Sequence, residues 1–303
     1  VLVLVLVLLV VLLVVLLLLV LLLLVLLLLV LLLLVDSSGG CWRGNHAGHC
    51  EGCCTSFFNQ RLRPARDSSM QCVRIGSSDL EVSRMALGLG FRGQSSASEA
   101  VRLIEHAIDS GINFIDCANK YQLRTDAADA HGSSEEILGR VLKTRRDELV
   151  ITSKVGAEGG PEREAGGCSR ENILREVERS LSRLGTDYID LYFLHRFDPV
   201  TPMEETLGVL DLLVTSGKVR YLGCSNYQAW QVCKALWLAD RMEVGPFVCV
   251  QNNYNLLNRG LEREMLPLVR DQGLGVMAFS PLQVGLLSGA YVPGQPPPQG
   301  SLW

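Results

Sequence analysis

Hydrophobic and polar positions fall into three regimes along this chain. Residues 1–35 are nothing but Val and Leu, and residues 36–69 are rich in Gly, Ser, Arg and Cys with no apolar period. From residue 73 onward, short apolar β-branched runs alternate with stretches whose apolar residues recur at helical spacing. VRIGSSDLEVSR, residues 73–84, predicts two short strands around a polar turn at Ser77, Ser78 and Asp79. Seven further strands are predicted to begin near Met85, Asn113, Leu149, Ile189, Val219, Phe247 and Gly275.

The stretches between them carry helix chemistry. Ile173, Val177, Leu181 and Leu184 share one helical face, as do Leu207, Leu210 and Leu213. Start signals are Ser96 three before Glu99, Ser133 three before Glu136, and Thr201 as N-cap followed by Pro202 and Glu204. Gly111, Gly185, Gly217 and Gly273 supply the stops. Strand and helix repeated this often imply right-handed crossovers and a parallel sheet, and seven units fall one short of a closed (β/α)8 barrel.

Composition changes the picture little. The chain has 303 residues and a net charge of -4, so nothing in the charge balance favours a nucleic-acid partner. Without the first 35 residues the apolar share falls to about 41%, ordinary for a globular protein. A helix of 35 residues would span roughly 52 Å against a hydrocarbon core of roughly 30 Å. The leader also lacks a positive n-region, aromatic anchors and a small-residue cleavage pattern, so it reads as low-complexity sequence, with a membrane anchor as the alternative. The cytoplasm is the expected location unless that leader is a genuine anchor or targeting segment. Met70 stands where ordered-looking sequence begins.

Ten cysteines are present. Cys41, His46, His49, Cys50, Cys53 and Cys54 crowd the second segment, and Cys50-x-x-Cys53 has zinc-knuckle spacing. No second pair at finger spacing follows, so no metal site is expected, and the remaining cysteines read as free thiols along apolar elements.

The chemistry lies in where polar residues fall. Strand after strand is apolar and then ends in a residue that a buried sheet would not choose: Asp116, Lys154, His195, Ser225 with Asn226, Gln251 and Ser280. Taken singly, Asp116 could cap a loop, Lys154 could extend to solvent, His195 could sit satisfied in the core and Gln251 could bond to backbone. In a parallel barrel all these ends meet at one mouth, which makes them a constellation. Tyr121 follows Asp116 by five residues. A phenol has a pKa near 10, and Lys154 beside it is expected to lower that value while Asp116 fixes the ammonium. A neutral His195 would hydrogen-bond a carbonyl. With no nucleophile and base pair in view, a cofactor must carry the reaction.

These segments resemble the aldo-keto reductases, a superfamily of (β/α)8 TIM barrels, over residues 73 to about 291. GINFIDCANKY resembles the segment bearing the family's catalytic Asp and Tyr, ITSKV that of its Lys and LYFLHRFD that of its His, which implies Asp116, Tyr121, Lys154 and His195. GCSNY and VQNNYNLL resemble segments that hold the nicotinamide carboxamide, implying Ser225, Asn226 and Gln251. FSPL implies that Phe279 stacks on the nicotinamide, with Ser280, Leu282, Gly285 and Leu287 following the pyrophosphate. LHRFDP, KVRYLGCSNY and NNYNLL are closest to the branch holding bacterial general reductases, aryl-alcohol dehydrogenases and potassium-channel beta subunits.

The resemblance implies an NADP(H)-dependent reduction of an aldehyde or ketone, with Tyr121 as general acid and the 73–84 hairpin closing the barrel bottom. The expected organisation is a leader at 1–35, a disordered Cys/Gly/Arg-rich segment at 36–69, the barrel at 70–291 and a Pro/Gly-rich tail at 292–303. The eighth βα unit, and with it the residues that grip the adenosine 2'-phosphate, is not recognisable, so the barrel is expected to be C-terminally truncated with two unpaired edges. The loop at 121–136 carries His131, read as solvated surface. Three alternatives stay open: a Rossmann fold from GLGFRG at residues 88–93, a non-catalytic nucleotide-binding regulatory subunit, and an inactive truncated product. The specific substrate and the oligomeric state are not legible.

Overall fold

The computed structural model describes residues 70–90, 94, 96–123, 133–157, 166–292 and 294–298. The leader, the Cys41–Cys54 cluster, His131, residues 91–93 of the glycine motif and the last residues of the tail lie outside them. Two strands, β1 (Cys72–Arg74) and β2 (Glu81–Ser83), pair antiparallel with Val73 opposite Val82. Seven more form one parallel sheet: β3 (Ala86–Gly88), β4 (Phe114–Asp116), β5 (Val150–Val155), β6 (Ile189–Leu194), β7 (Val219–Ser225), β8 (Phe247–Asn253) and β9 (Gly275–Phe279). Their order across the sheet is their order in the chain. A Rossmann sheet reverses direction at a switch point, so this order sets that alternative aside. The seven strands curl into an incomplete (β/α)8-type barrel, with β3 and β9 at its edges among the described residues.

Helices α1 (Ala97–Asp109), α2 (Ser133–Arg145), α3 (Arg170–Leu184), α4 (Met203–Thr215), α5 (Ala229–Met242) and α6 (Met265–Gln272) fill the crossovers. Ser96 caps α1 by accepting from the Glu99 N–H, and Gly185 and Gly273 close α3 and α6 in the left-handed region. Two expected caps differ. Ser133 is the first residue of α2, and its hydroxyl is taken up by the Leu123 N–H, from which it accepts, instead of capping the helix. Helix α4 starts at Met203 with Pro202 as N-cap, since the Thr201 hydroxyl bonds the Asp198 carboxylate 2.7 Å away.

The strand period of two divides the interior. Outward residues such as Ile115, Ile151, Tyr192 and Leu222 join the helix faces in the larger core. Inward residues Phe114, Leu191, Phe193, Val248 and Cys249 pack instead against Ile75, Leu80 and Val82 of the hairpin. The hairpin is therefore the floor of the barrel. Asn113 ties it down by accepting from the Ser83 N–H at 2.6 Å and donating to the Glu81 carbonyl at 3.1 Å. At the far end of the same strands the inward positions become polar.

Gly76 makes the floor fit. Its φ is +50°, and a Cβ there would lie 2.5 Å from the Val248 carbonyl oxygen and 2.6 Å from the Gly275 nitrogen, both backbone atoms. Gly217 has a similar φ of +76° but open space around it. We expect Gly76→Ala to cost about 2–3 kcal/mol in urea unfolding and Gly217→Ala about 1 kcal/mol, the difference being the clash. Equal costs would mean that the hairpin is not seated in the barrel.

Candidate active site

The polar strand ends converge as the parallel topology requires. In β5, Thr152 and Lys154 both face inward, two residues apart, and Lys154 is fully buried. Its ammonium donates to Asp116 Oδ1 at 2.7 Å, to the Cys117 carbonyl at 2.9 Å and to Tyr121 Oη at 3.2 Å. All three ammonium hydrogens are thus placed. Asp116 Oδ1 accepts twice more, from Thr152 Oγ1 at 2.6 Å and from Gln251 Nε2 at 3.0 Å. One carboxylate oxygen joins β4, β5 and β8.

Tyr121 stands on the loop after β4, its ring edge-on to His195 at 5.8 Å between centroids. His195 follows β6 directly, and the Asn226 amide donates to its carbonyl at 3.0 Å. Asn226 has a φ of +60°, a conformation open to Asn more than to most residues, which turns its side chain back toward β6. Asp116, Tyr121, His195, Ser225, Asn226, Gln251, Phe279, Ser280, Leu282 and Gly285 all line one cleft of about 940 Å³. Lys154 lies beneath it. Leu287 is not part of the lining, and its N–H returns to the Leu282 carbonyl at 3.0 Å.

The electrostatics separate three roles. Burial raises the Tyr121 phenol above its ordinary value; Lys154 draws it down, but the Asp116 carboxylate opposes that and the net shift is upward. The lowering expected from sequence is therefore reversed, because a buried phenolate loses more hydration than one shared ammonium returns. Burial alone would depress Lys154, yet Asp116 and Tyr121 hold its pKa above the ordinary value. For His195, burial and then Lys154 bring the imidazole down to about 4. The site at neutral pH holds a protonated phenol, a charged ammonium and a neutral imidazole.

Sequence reading missed Thr152, Lys120 and Arg196. Thr152 was accessible through the strand period, which sends residues two apart to one face. Lys120 and Arg196 adjoin Tyr121 and His195 in the chain and line the same cleft. Among the described residues no group of three or more His, Cys, Asp or Glu side chains is placed to hold a metal, and no helix is long and apolar enough to cross a membrane.

Known proteins share this arrangement of sequence. The Aldo/keto reductase family model matches residues 84–301. The chain is 37% identical over 240 residues to the L-glyceraldehyde 3-phosphate reductase of Escherichia coli (strain K12), covering 77% of this chain and 67% of that one. It is 38% identical over 229 residues to the uncharacterized oxidoreductase YrpG of Bacillus subtilis (strain 168), covering 73% and 69%. It is 37% identical over 235 residues to a probable voltage-gated potassium channel subunit beta of Arabidopsis thaliana, covering 75% and 69%.

The His195 shift makes a stability prediction. The unfolded chain protonates this imidazole near 6.5 and the folded chain only near 4, so the contribution is intact above the first value and is lost as pH falls toward the second. The melting temperature is expected to drop across that window and His195→Gln to flatten the drop, as followed by circular dichroism between pH 7 and 4.5. The same slope in both proteins would show an imidazole that ionises normally.

Proposed function

The chain belongs to the aldo/keto reductase family, and on that footing we propose that it is an NADP(H)-dependent oxidoreductase that reduces an aldehyde or ketone to the alcohol. The observation that carries this reading is the buried Lys154 ammonium donating to Tyr121 at the floor of an open cleft. A structural tyrosine has no need of a cation that costs several kcal/mol to bury. A proton donor does.

The residues fit a nicotinamide cofactor. Ser225, Asn226 and Gln251 bring a hydroxyl and two carboxamides to the ends of neighbouring strands, and Phe279 adds an aromatic face. These groups complement a carboxamide and a flat ring, and the cleft is larger than a small carbonyl compound would fill. A reduced nicotinamide held there would supply the hydride that the carbonyl carbon accepts. The protein's own part is the proton. Tyr121 Oη donates to the carbonyl oxygen as the C=O bond becomes C–O–H, Lys154 stabilises the phenolate left behind, and solvent restores the proton. The neutral His195 orients the carbonyl oxygen toward Tyr121, and Asp116 keeps Lys154 charged.

A purely regulatory nucleotide-binding role, suggested by the likeness to potassium-channel beta subunits, leaves this proton-donating network without a use. The small-molecule partner is then a carbonyl compound and the expected compartment the cytoplasm.

Titration of NADPH and of NADH into the full chain, followed by quenching of protein fluorescence, tests the reading. Saturable binding of NADPH is expected, with the NADH titration in parallel reading how far the 2'-phosphate contributes. Tyr121→Phe should keep that binding and lower kcat for aldehyde reduction by about 10²- to 10⁴-fold. A folded protein that binds neither nucleotide would overturn the proposal.

A further inference from the structure

The cleft carries a charge that the reduction itself does not use. Among the described residues its ionisable lining, besides Tyr121 and His195, is Asp116, Lys120 and Arg196. Asp116 is taken up by the Lys154 ammonium at 2.7 Å. Among the described lining residues the remaining cations are Arg196 and Lys120, the latter also within the field of Glu176. Low-dielectric walls focus the field of such cations onto whatever enters.

Position assigns this charge to the substrate end. Lys120 immediately precedes Tyr121 on the loop after β4, and Arg196 immediately follows His195 after β6. The groups that suit a nicotinamide, Ser225, Asn226, Gln251 and Phe279, stand at the ends of β7, β8 and β9 on the other stretch of the sheet. Both cations are close enough to act on the reacting groups, since each lowers the affinity of His195 for a proton. Arg196 has no ion pair with a carboxylate among the described residues, and it is the arginine among them that lines the cleft. A guanidinium offers five donors in a fork that matches a phosphate or carboxylate.

We propose that the cleft selects carbonyl compounds bearing a phosphate or carboxylate, which Arg196, aided by Lys120, recognises. The inference rests on the reductase reading of the same site. A small aldehyde has few atoms with which to bind, and an anionic group away from the reacting carbon supplies that binding energy.

The test compares kcat/KM within matched pairs on the full chain with NADPH: 4-carboxybenzaldehyde against benzaldehyde, and glyceraldehyde 3-phosphate against glyceraldehyde. Each anionic member is expected to be favoured by about tenfold or more at low salt, with the preference shrinking as salt rises. A preference in one pair alone identifies that anion as the one recognised. Arg196→Gln should reduce the preference about tenfold, Arg196→Lys should retain part of it, and Lys120→Met should reduce it less. Equal turnover within both pairs, with the Tyr121→Phe loss intact, would overturn the inference and leave the reductase standing. A loss shared equally by both members of a pair in Arg196→Gln, or a matching rise in the NADPH dissociation constant, would also overturn it, placing Arg196 in structure or cofactor binding. No turnover of any member despite bound NADPH would remove both readings.

Discussion

The Lys154 ammonium sits beyond the reach of water, and holding a charge there costs several kcal/mol unless every hydrogen finds a partner and an anion lies beside it. The Asp116 carboxylate, the Cys117 carbonyl and the Tyr121 phenol meet that demand from one short stretch of chain. The demand fixes more than a side chain. It sets the register of β4 against β5, where Asp116 lies opposite Thr152, and it brings β8 in through Gln251. A slip of one residue would send Lys154 outward among the helices and leave Asp116 buried without its cation.

The barrel interior can host this network because its other end is sealed. The hairpin residues Ile75, Leu80 and Val82 fill the space beneath Phe114, Leu191, Phe193 and Val248, so apolar material closes the hairpin end of the barrel. Polar side chains are then confined to the mouth, where the loops after each strand can shape a cleft. Stability and chemistry occupy opposite ends of the same seven strands. Behind the sheet a second charged contact, the wholly buried Glu135 with Arg183 and the Ser153 hydroxyl, fastens α2 and α3 to the outward side of β5 next to Lys154.

Burial also decides how the site ionises. The same loss of hydration that lifts the Tyr121 phenol depresses the His195 imidazole, and it would depress Lys154 as well were Asp116 not adjacent. One environment thus pushes an acid and two bases in directions set by the charge each would carry. An acid held protonated beside a cation that will stabilise its conjugate base is suited to give up a proton only when a reaction draws it away.

Much of this was legible in the chain. The strand starts near residues 113, 149, 189, 219, 247 and 275 follow from apolar runs bounded by turn residues, and the polar ends Asp116, Lys154, His195 and Gln251 stand out because a buried strand has no other use for them. Period and punctuation are local properties, so sequence carries them. The direction of the Tyr121 shift, the capture of Ser133 by Leu123 and of Thr201 by Asp198, and the gathering of Lys120 and Arg196 into one mouth were decided by the tertiary structure. Each depends on groups brought together across the fold, and the balance between lost hydration and new partners has no value until those groups are neighbours.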